Sequence, residues 1–285
     1  MVDRKLDLIV AGNLAQDVIY GKEYYGGCAG NIAVNASMHG LSTGIVSSYG
    51  SDDFSNRYLA YLRERGIATE LLQDGLHEMP RCVVKSNVNH SSSGEWYDNG
   101  SVELLDHYSP TPTQQQKIKN AKTLHLTTVP RNLALKLVEL RKGSDGILGY
   151  EPGPMVGFDN SYFDELLFGA ASYIFVNEEE IEIIDNIFGI NALQRNMTDK
   201  QWIINTLGDQ GCRIITKRTV RNYPIAPLKG DSLVDSNGAG DAFKAGFYVS
   251  LLSNGNNVDD AINTAQRFGA AIVGQEGPHF LHRAI

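Results

Sequence analysis

The chain is expected to fold as an α/β protein, a largely parallel sheet covered by helices on both faces. The first observation behind this is a rhythm: short apolar runs of β type alternate with segments of helical period. The second is size, since 285 residues with 42% hydrophobic content can bury one large core. The third is continuity. No internal repeat, low-complexity tract or linker divides the sequence, so residues 1–285 are read as one domain.

In order, residues 6–11 (LDLIVA) read as the first buried strand, and a turn-rich stretch leads to a helix over 31–39. Residues 44–49 (GIVSSY) are strand-like, and 53–65 form an amphipathic helix that ends at Gly66. The rhythm then pauses. From Arg81 to Leu105, strand-like runs broken by Ser-rich and Asn-Gly turns predict an antiparallel hairpin excursion, a small flap. Strands return near 123–127, 146–150, 172–176 and 212–216, with helices near 113–120, 131–141, 160–168 and 178–187. Two helices, 239–253 and 258–274, close the chain.

Composition excludes several function classes. The formal charge of -8 is spread along the chain and no basic stripe with interleaved aromatics appears, so no nucleic-acid partner is expected and a small molecule is the better ligand. Cys28, Cys82 and Cys212 lie far apart without metal-type spacing, which fits free structural thiols in a reducing cytoplasm. The opening MVDRKLDLIVAGNLAQD is interrupted by Gly12, Asn13 and Asp17, so neither a signal peptide nor a membrane span is expected.

In such sheets ligands bind beyond the carboxyl ends of the strands. Near the C-terminus, "VDSNGAGDAFKAGF" places Gly238, Ala239 and Gly240 ahead of an apolar helix. Unobstructed backbone N–H groups and a helix dipole there can receive phosphate oxygens. Asp241 then sits in the first helical turn, either as a cap or as the base that takes a proton from an attacking hydroxyl. In "VNEEEI", Asn177 and Glu180 share one face of a first turn and suit a hydrated Mg²⁺, whereas Glu178 and Glu179 read as a solvated acidic turn. Thr206, Gly208 and Gly211 in "NTLGDQG" mark either a plain hairpin turn or a nucleotide-facing loop. Near the front, Asn13 and Asp17 follow the first strand, and Gly26, Gly27 and Asn31 start a helix. Asp17 either binds a pair of hydroxyls or serves as a turn residue or cap.

Taken in order along nearly the whole chain, these motifs resemble the ribokinase-like, or PfkB-type, family of sugar and nucleoside kinases. The C-terminal signature is matched by Asp235, Gly238, Ala239, Gly240 and Asp241, the N-terminal one by Gly26, Gly27 and Asn31, and an N-x-x-E motif by Asn177 and Glu180. The resemblance implies a three-layer α/β/α fold with a small β lid and transfer of the γ-phosphate of ATP to an alcohol. By that likeness Asp241 is the base and residues 238–240 are the anion hole, while Asn177 and Glu180 hold Mg²⁺ through water. Asn13, Asp17, Gly26, Gly27, Asn31 and Asp235 face the substrate. Thr206, Gly208, Gly211 and Asn237 face the nucleotide, with adenine near 264–277.

Two departures stand out. Only Val18 to Tyr25 separate Asp17 from the paired glycines, so half of the lid is expected to be missing, and Asn237 stands where the family commonly has Thr. A reduced lid exposes strand edges and predicts a homodimer through 81–105. It also leaves the mouth open, which favours a nucleoside over a small hexose, with Tyr24, Tyr25 or Tyr97 as a stacking face. The expectation is a cytoplasmic, ATP- and Mg²⁺-dependent kinase of a sugar or nucleoside. The alternative is a non-catalytic binding protein on the same fold.

Overall fold

The computed structural model describes residues 5–88, 91–153, 165–225 and 235–282. Its elements run β1 (Leu8–Ala11), β2 (Ala15–Ile19), β3 (Lys22–Gly26), α1 (Cys28–Met38), β4 (Thr43–Gly50), α2 (Asp53–Glu64), β5 (Leu72–Leu76), β6 (Arg81–Val88) and β7 (Ser91–Tyr97). There follow α3 (Ser101–Asp106), α4 (Pro112–Asn120), β8 (Thr123–Thr127), α5 (Arg131–Arg141), β9 (Ile147–Glu151), α6 (Glu165–Ala170), β10 (Tyr173–Val176), α7 (Glu178–Phe188) and α8 (Ile190–Asn196). Last come β11 (Trp202–Thr206), β12 (Cys212–Thr216), β13 (Val220–Tyr223), α9 (Ala239–Ser253) and α10 (Val258–Ile272). Of the helix expected over 160–168, residues 160–164 lie outside the described residues.

Nine strands form the central sheet in the order β13-β12-β11-β10-β9-β8-β1-β4-β5. From β5 to β11 neighbours run parallel, and β12 and β13 continue antiparallel. Strand period explains the two cores. Leu8 and Val10 of β1 face one side and join α1, α2, α9 and α10, while Ile9 and Ala11 face the other and join α3 to α7. This is the expected three-layer α/β/α arrangement. The apolar pattern passes over β5 and β13 because both are sheet-edge strands with partly exposed, polar sequences, and the expected strands also leave out β11, an interior strand whose short apolar run precedes the turn over 206–211.

The second sheet corrects the expectation of a half-missing lid. It has four strands, ordered β3-β2-β6-β7, so the residues between Asp17 and Gly26 supply two of them. Tyr20 and Gly21, at φ 51° and 78°, make the two-residue turn that joins β2 to β3. The far end of the predicted excursion also differs: Asn99 and Gly100, both at positive φ, lead into α3 and not into another strand. Among the described residues no helix is long and apolar enough to cross a membrane, and the three cysteines are unpaired thiols.

Candidate active site

The first βα turn, the ends of β8, β9 and β11, and the start of α7 after β10 all lie at the carboxyl edge of the parallel strands. Asn13, Thr127, Glu151, Thr206 and Asn177 therefore share that edge. Above it, Gly238 is the N-cap of α9 at φ 76°, a left-handed conformation that favours glycine, and a Cβ there would also fall 2.6 Å from Pro278 Cβ. Around Gly240 the space is open, with nothing within 4 Å of where a Cβ would lie. The first turn of α9 thus opens to an unfilled approach at Gly240, the arrangement an anion needs, while the Ala239 N–H donates to the Ser236 carbonyl at 3.3 Å.

Asp241 is the third residue of α9 and is 7% exposed. One carboxylate oxygen accepts a hydrogen bond from Asn31 Nδ2 at 2.8 Å, and the other lies 3.2 Å from Lys244 Nζ. Burial raises its pKa, the Lys244 charge pulls it down and the Glu151 charge pushes it up, with a net upward shift. Asn31 is itself oriented: its Oδ1 pairs with His279 Nε2 at 3.0 Å, and His279 Nδ1 pairs with Tyr61 Oη at 2.8 Å. Because Asn31 donates to a carboxylate, its oxygen must accept, so His279 carries its proton on Nε2 and Tyr61 donates to Nδ1. Burial pushes the His279 pKa down to about 3, which keeps the ring neutral.

Asp17 lies on β2 of the lid, not in a turn or at a helix cap. Its carboxylate is packed against Gly26, where a Cβ would come within 2.1 Å of Oδ2. It accepts from Asn237 Nδ2 at 3.2 Å and from the Gly27 backbone N–H. Burial, with the charges of Asp241 and Asp235 nearby, raises its pKa from 3.8 to about 7. Asp235 directs its two oxygens at backbone N–H groups of Asn237 (2.9 Å) and Gly277 (3.4 Å), tying the loop before α9 to the segment after α10. Asn13 Oδ1 accepts from Cys28 N at 3.2 Å and Thr128 Oγ1 at 3.0 Å, which joins the ends of β1 and β8 to the start of α1. Asp17 and Asn31 thus meet the 237–241 stretch directly, through Asn237 and Asp241.

The second group gathers around α7. Asn177 and Glu180 form a reciprocal capping box, Asn177 N to Glu180 Oε2 at 2.9 Å and Glu180 N to Asn177 Oδ1 at 2.8 Å. Burial and the Glu151 charge raise the Glu180 pKa from 4.5 to about 7. Thr206 Oγ1 reaches the Val176 carbonyl at 3.4 Å. Gly208–Gln210 form the single 3-10 turn that closes the β11–β12 hairpin, so this stretch is a hairpin turn, and Gly211 abuts Gln266 of α10. Of the proposed stacking faces, Tyr25 is already stacked on Tyr58 with centroids 4.7 Å apart, and Tyr24 Oη bonds Glu276 at 3.2 Å.

Sequence reasoning missed Lys244, Glu151, Thr127 and His279. Lys244 Nζ is bound to Glu151 Oε1, and Glu151 Oε2 accepts from Thr127 Oγ1 at 2.6 Å. These charges act on both Asp241 and Glu180 and so connect the two groups. The available signal was one lysine inside an otherwise apolar helical run.

A model of the pfkB family carbohydrate kinases matches residues 2–283. The chain is similar to the ATP-dependent 6-phosphofructokinase of Thermoanaerobacterium thermosaccharolyticum, 27% identical over 278 residues that cover 88% of this chain and 83% of that protein. Its fold is similar to that of Schistosoma mansoni adenosine kinase in complex with 2-fluoroadenosine, with TM-score 0.87, 16% identity and coverage of 97% and 98%. It is also similar to Methanocaldococcus jannaschii nucleoside kinase, an archaeal member of the ribokinase family, with TM-score 0.81, 21% identity and coverage of 96% and 94%.

Proposed function

The chain belongs to the pfkB family of carbohydrate kinases, ATP-dependent phosphotransferases acting on an alcohol of a sugar or nucleoside, and within that class we propose that Asp241 is the general base. The observation that carries this reading is the Asn31–Asp241 hydrogen bond, which joins the acceptor-side helix α1 to the first turn of α9 at 2.8 Å. Asp17 and Asn31 hold a diol of the acceptor. Its reactive hydroxyl gives its proton to Asp241 as the oxygen bonds to the γ-phosphorus of ATP, the bond from that phosphorus to the β,γ-bridging oxygen breaks and ADP leaves, and the N–H groups of residues 238–240 receive the phosphate oxygens. Thr206, Gly208 and Gly211 border the nucleotide, with adenine beside the 264–277 stretch that Gly211 abuts.

A hydrated magnesium ion fits Glu180 and Asn177. Glu180 is a buried carboxylate whose bonded partner is a backbone N–H, so a nearby cation would relieve its desolvation. Held by so few protein groups, the ion would keep most of its waters. Such an ion would neutralise phosphate charge when bound.

The nucleoside preference loses its premise, because β2 and β3 supply lid strands where a missing segment was expected. The acceptor is therefore a diol-bearing sugar or nucleoside. The chain acts as one kinase unit in the cytoplasm, and a homodimer forms through the lid, whose strand edges and exposed Tyr20, Trp96 and Tyr97 offer a surface for a second copy. A coupled assay of ADP release with Mg²⁺, ATP and a panel of ribose, fructose and the common nucleosides tests the reading. Acceptor-dependent turnover that disappears in Asp241→Asn supports it, and turnover that survives overturns the base. Light scattering tests the dimer, which a monomer at micromolar concentration would refute.

A further inference from the structure

Lys244 is an anomaly in α9. From Asp241 to Tyr248 every residue of this helix is buried, and Lys244 is 4% exposed. An ammonium loses strong hydration on burial, a heavy cost unless partners replace the water. Here the partners are two carboxylates, Glu151 Oε1 and Asp241 Oδ1, the latter at 3.2 Å. Glu151 is fixed in turn by Thr127. A lysine held on both sides and closed off from solvent is not free to follow a phosphate.

We infer that Lys244, clamped by Glu151, is a positioning residue that keeps Asp241 ionised and turned toward the acceptor hydroxyl. Two carboxylates and one ammonium leave this buried cluster with a single negative charge. Removing Lys244 leaves two buried like charges and drives a proton onto Asp241, so the base is occupied before the hydroxyl arrives. Removing the Glu151 charge does the opposite: Asp241 becomes half of a neutral pair and holds a proton less readily. The other groups facing this cluster are Asn31 and Cys28 of α1, Asp17 of the lid, Tyr58 of α2, His125 of β8, Glu180 of α7 and Tyr248 of α9, the two tyrosines staying neutral because burial raises their pKa further. His125 is held neutral by burial, its pKa pushed down to about 3, and Asn31 carries no charge, so neither replaces the ammonium.

The inference rests on Asp241 being the base, and the test separates the two claims. The pH dependence of kcat/KM is measured for the full chain, Lys244→Met, Glu151→Gln, the double variant and Lys244→Arg. The acid limb moves to higher pH in Lys244→Met, by about one unit, and to lower pH in Glu151→Gln. The double variant, again with one negative charge, returns toward the parent, and Lys244→Arg recovers most of the shift. Singles that move the limb in the same direction, or a folded Lys244→Met with an unmoved limb, overturn the inference. Should Lys244→Met not fold, Glu151→Gln decides: a downward shift supports the inference and an unmoved limb overturns it. If Asp241→Asn keeps its rate, the base itself is wrong. If Asp241→Asn is inactive and the limbs do not move, only the role of Lys244 fails.

Discussion

Asp241 and Glu180 occupy equivalent places in two helices. Each is the third residue of the helix, α9 or α7, and they are 7% and 6% exposed. Their partners differ. Asp241 has a side-chain cation at 3.2 Å and a side-chain amide at 2.8 Å, contacts that offset part of the burial and Glu151 repulsion by which its pKa is still raised. Glu180 bonds the backbone N–H of Asn177 at 2.9 Å, while the Glu151 and Lys244 charges act on it only through space, the first raising and the second lowering its pKa, which stands at about 7. Position in a helix therefore does not assign the role of a carboxylate. A compensated one is kept ready to accept a proton, and an uncompensated one is a place for an external cation.

The sharpest way to break this contrast is to neutralise each carboxylate in turn. Asp241→Asn is expected to lower turnover by roughly 10²-fold or more with ATP affinity nearly unchanged, the scale of a lost general base. Calorimetric titration with ATP and a steady-state assay read the two quantities, and near-normal turnover would reduce Asp241 to a helix cap. Glu180→Gln is expected to cost less. It raises the magnesium concentration for half-maximal rate by about 3- to 10-fold and leaves most of the saturated rate in place. An unchanged magnesium dependence would make the capping box the whole role of Glu180.

The legible parts of the molecule were those written in local pattern. The buried strands of the central sheet and the first turns of α7 and α9 follow from apolar runs and short spacings, and Asn177, Glu180 and Asp241 could be placed from them. The lid hairpin could not, because AQDVI buries the polar Asp17, KEYYG is largely polar and exposed at its start, and their turn is Tyr20-Gly21, not the Asn-Gly of a recognisable hairpin. Glu151 and Lys244 are 93 residues apart, and His279 reaches Asn31 across 248. Only the sheet order brings these groups together, so no local spacing announces them.

Asp17 sharpens the comparison from a third position. It is buried among carboxylates without a cation, and its pKa stands at about 7. Below that pH it takes a proton and loses one acceptor site for the bound diol. The acceptor KM is therefore expected to rise several-fold as pH falls from about 8 to about 6, on the scale of tenfold per unit beyond the midpoint. Asp17→Asn raises KM for every acceptor used and flattens this pH dependence. A parent KM that stays constant over the range would show that Asp17 is not the diol ligand.

The smallest expected effect is on stability, and it tests whether Glu180 is uncompensated as described. Its pKa rises from 4.5 to about 7 on folding, so between those values the folded chain binds a proton that the unfolded chain has released. Unfolding free energy then falls with rising pH: the contribution of Glu180 is fully present below about 4.5 and is lost as pH passes through about 7. Asp17 acts in the same direction, from 3.8 to about 7. Asp241, also raised by burial, adds a contribution of the same sign, and Glu180→Gln removes one of the three, so its Tm should decline less steeply than the parent's between about pH 5 and pH 8, by a few degrees for a chain of this size. Magnesium supplies the missing cation only to the ionised carboxylate, so it should raise the parent's Tm more at about pH 8 than at about pH 5. The Glu180→Gln chain should show little of that difference. Parallel melting curves for the two chains, with equal magnesium shifts at both pH values, would mean that Glu180 is as well compensated as Asp241 and that the contrast between them is not electrostatic.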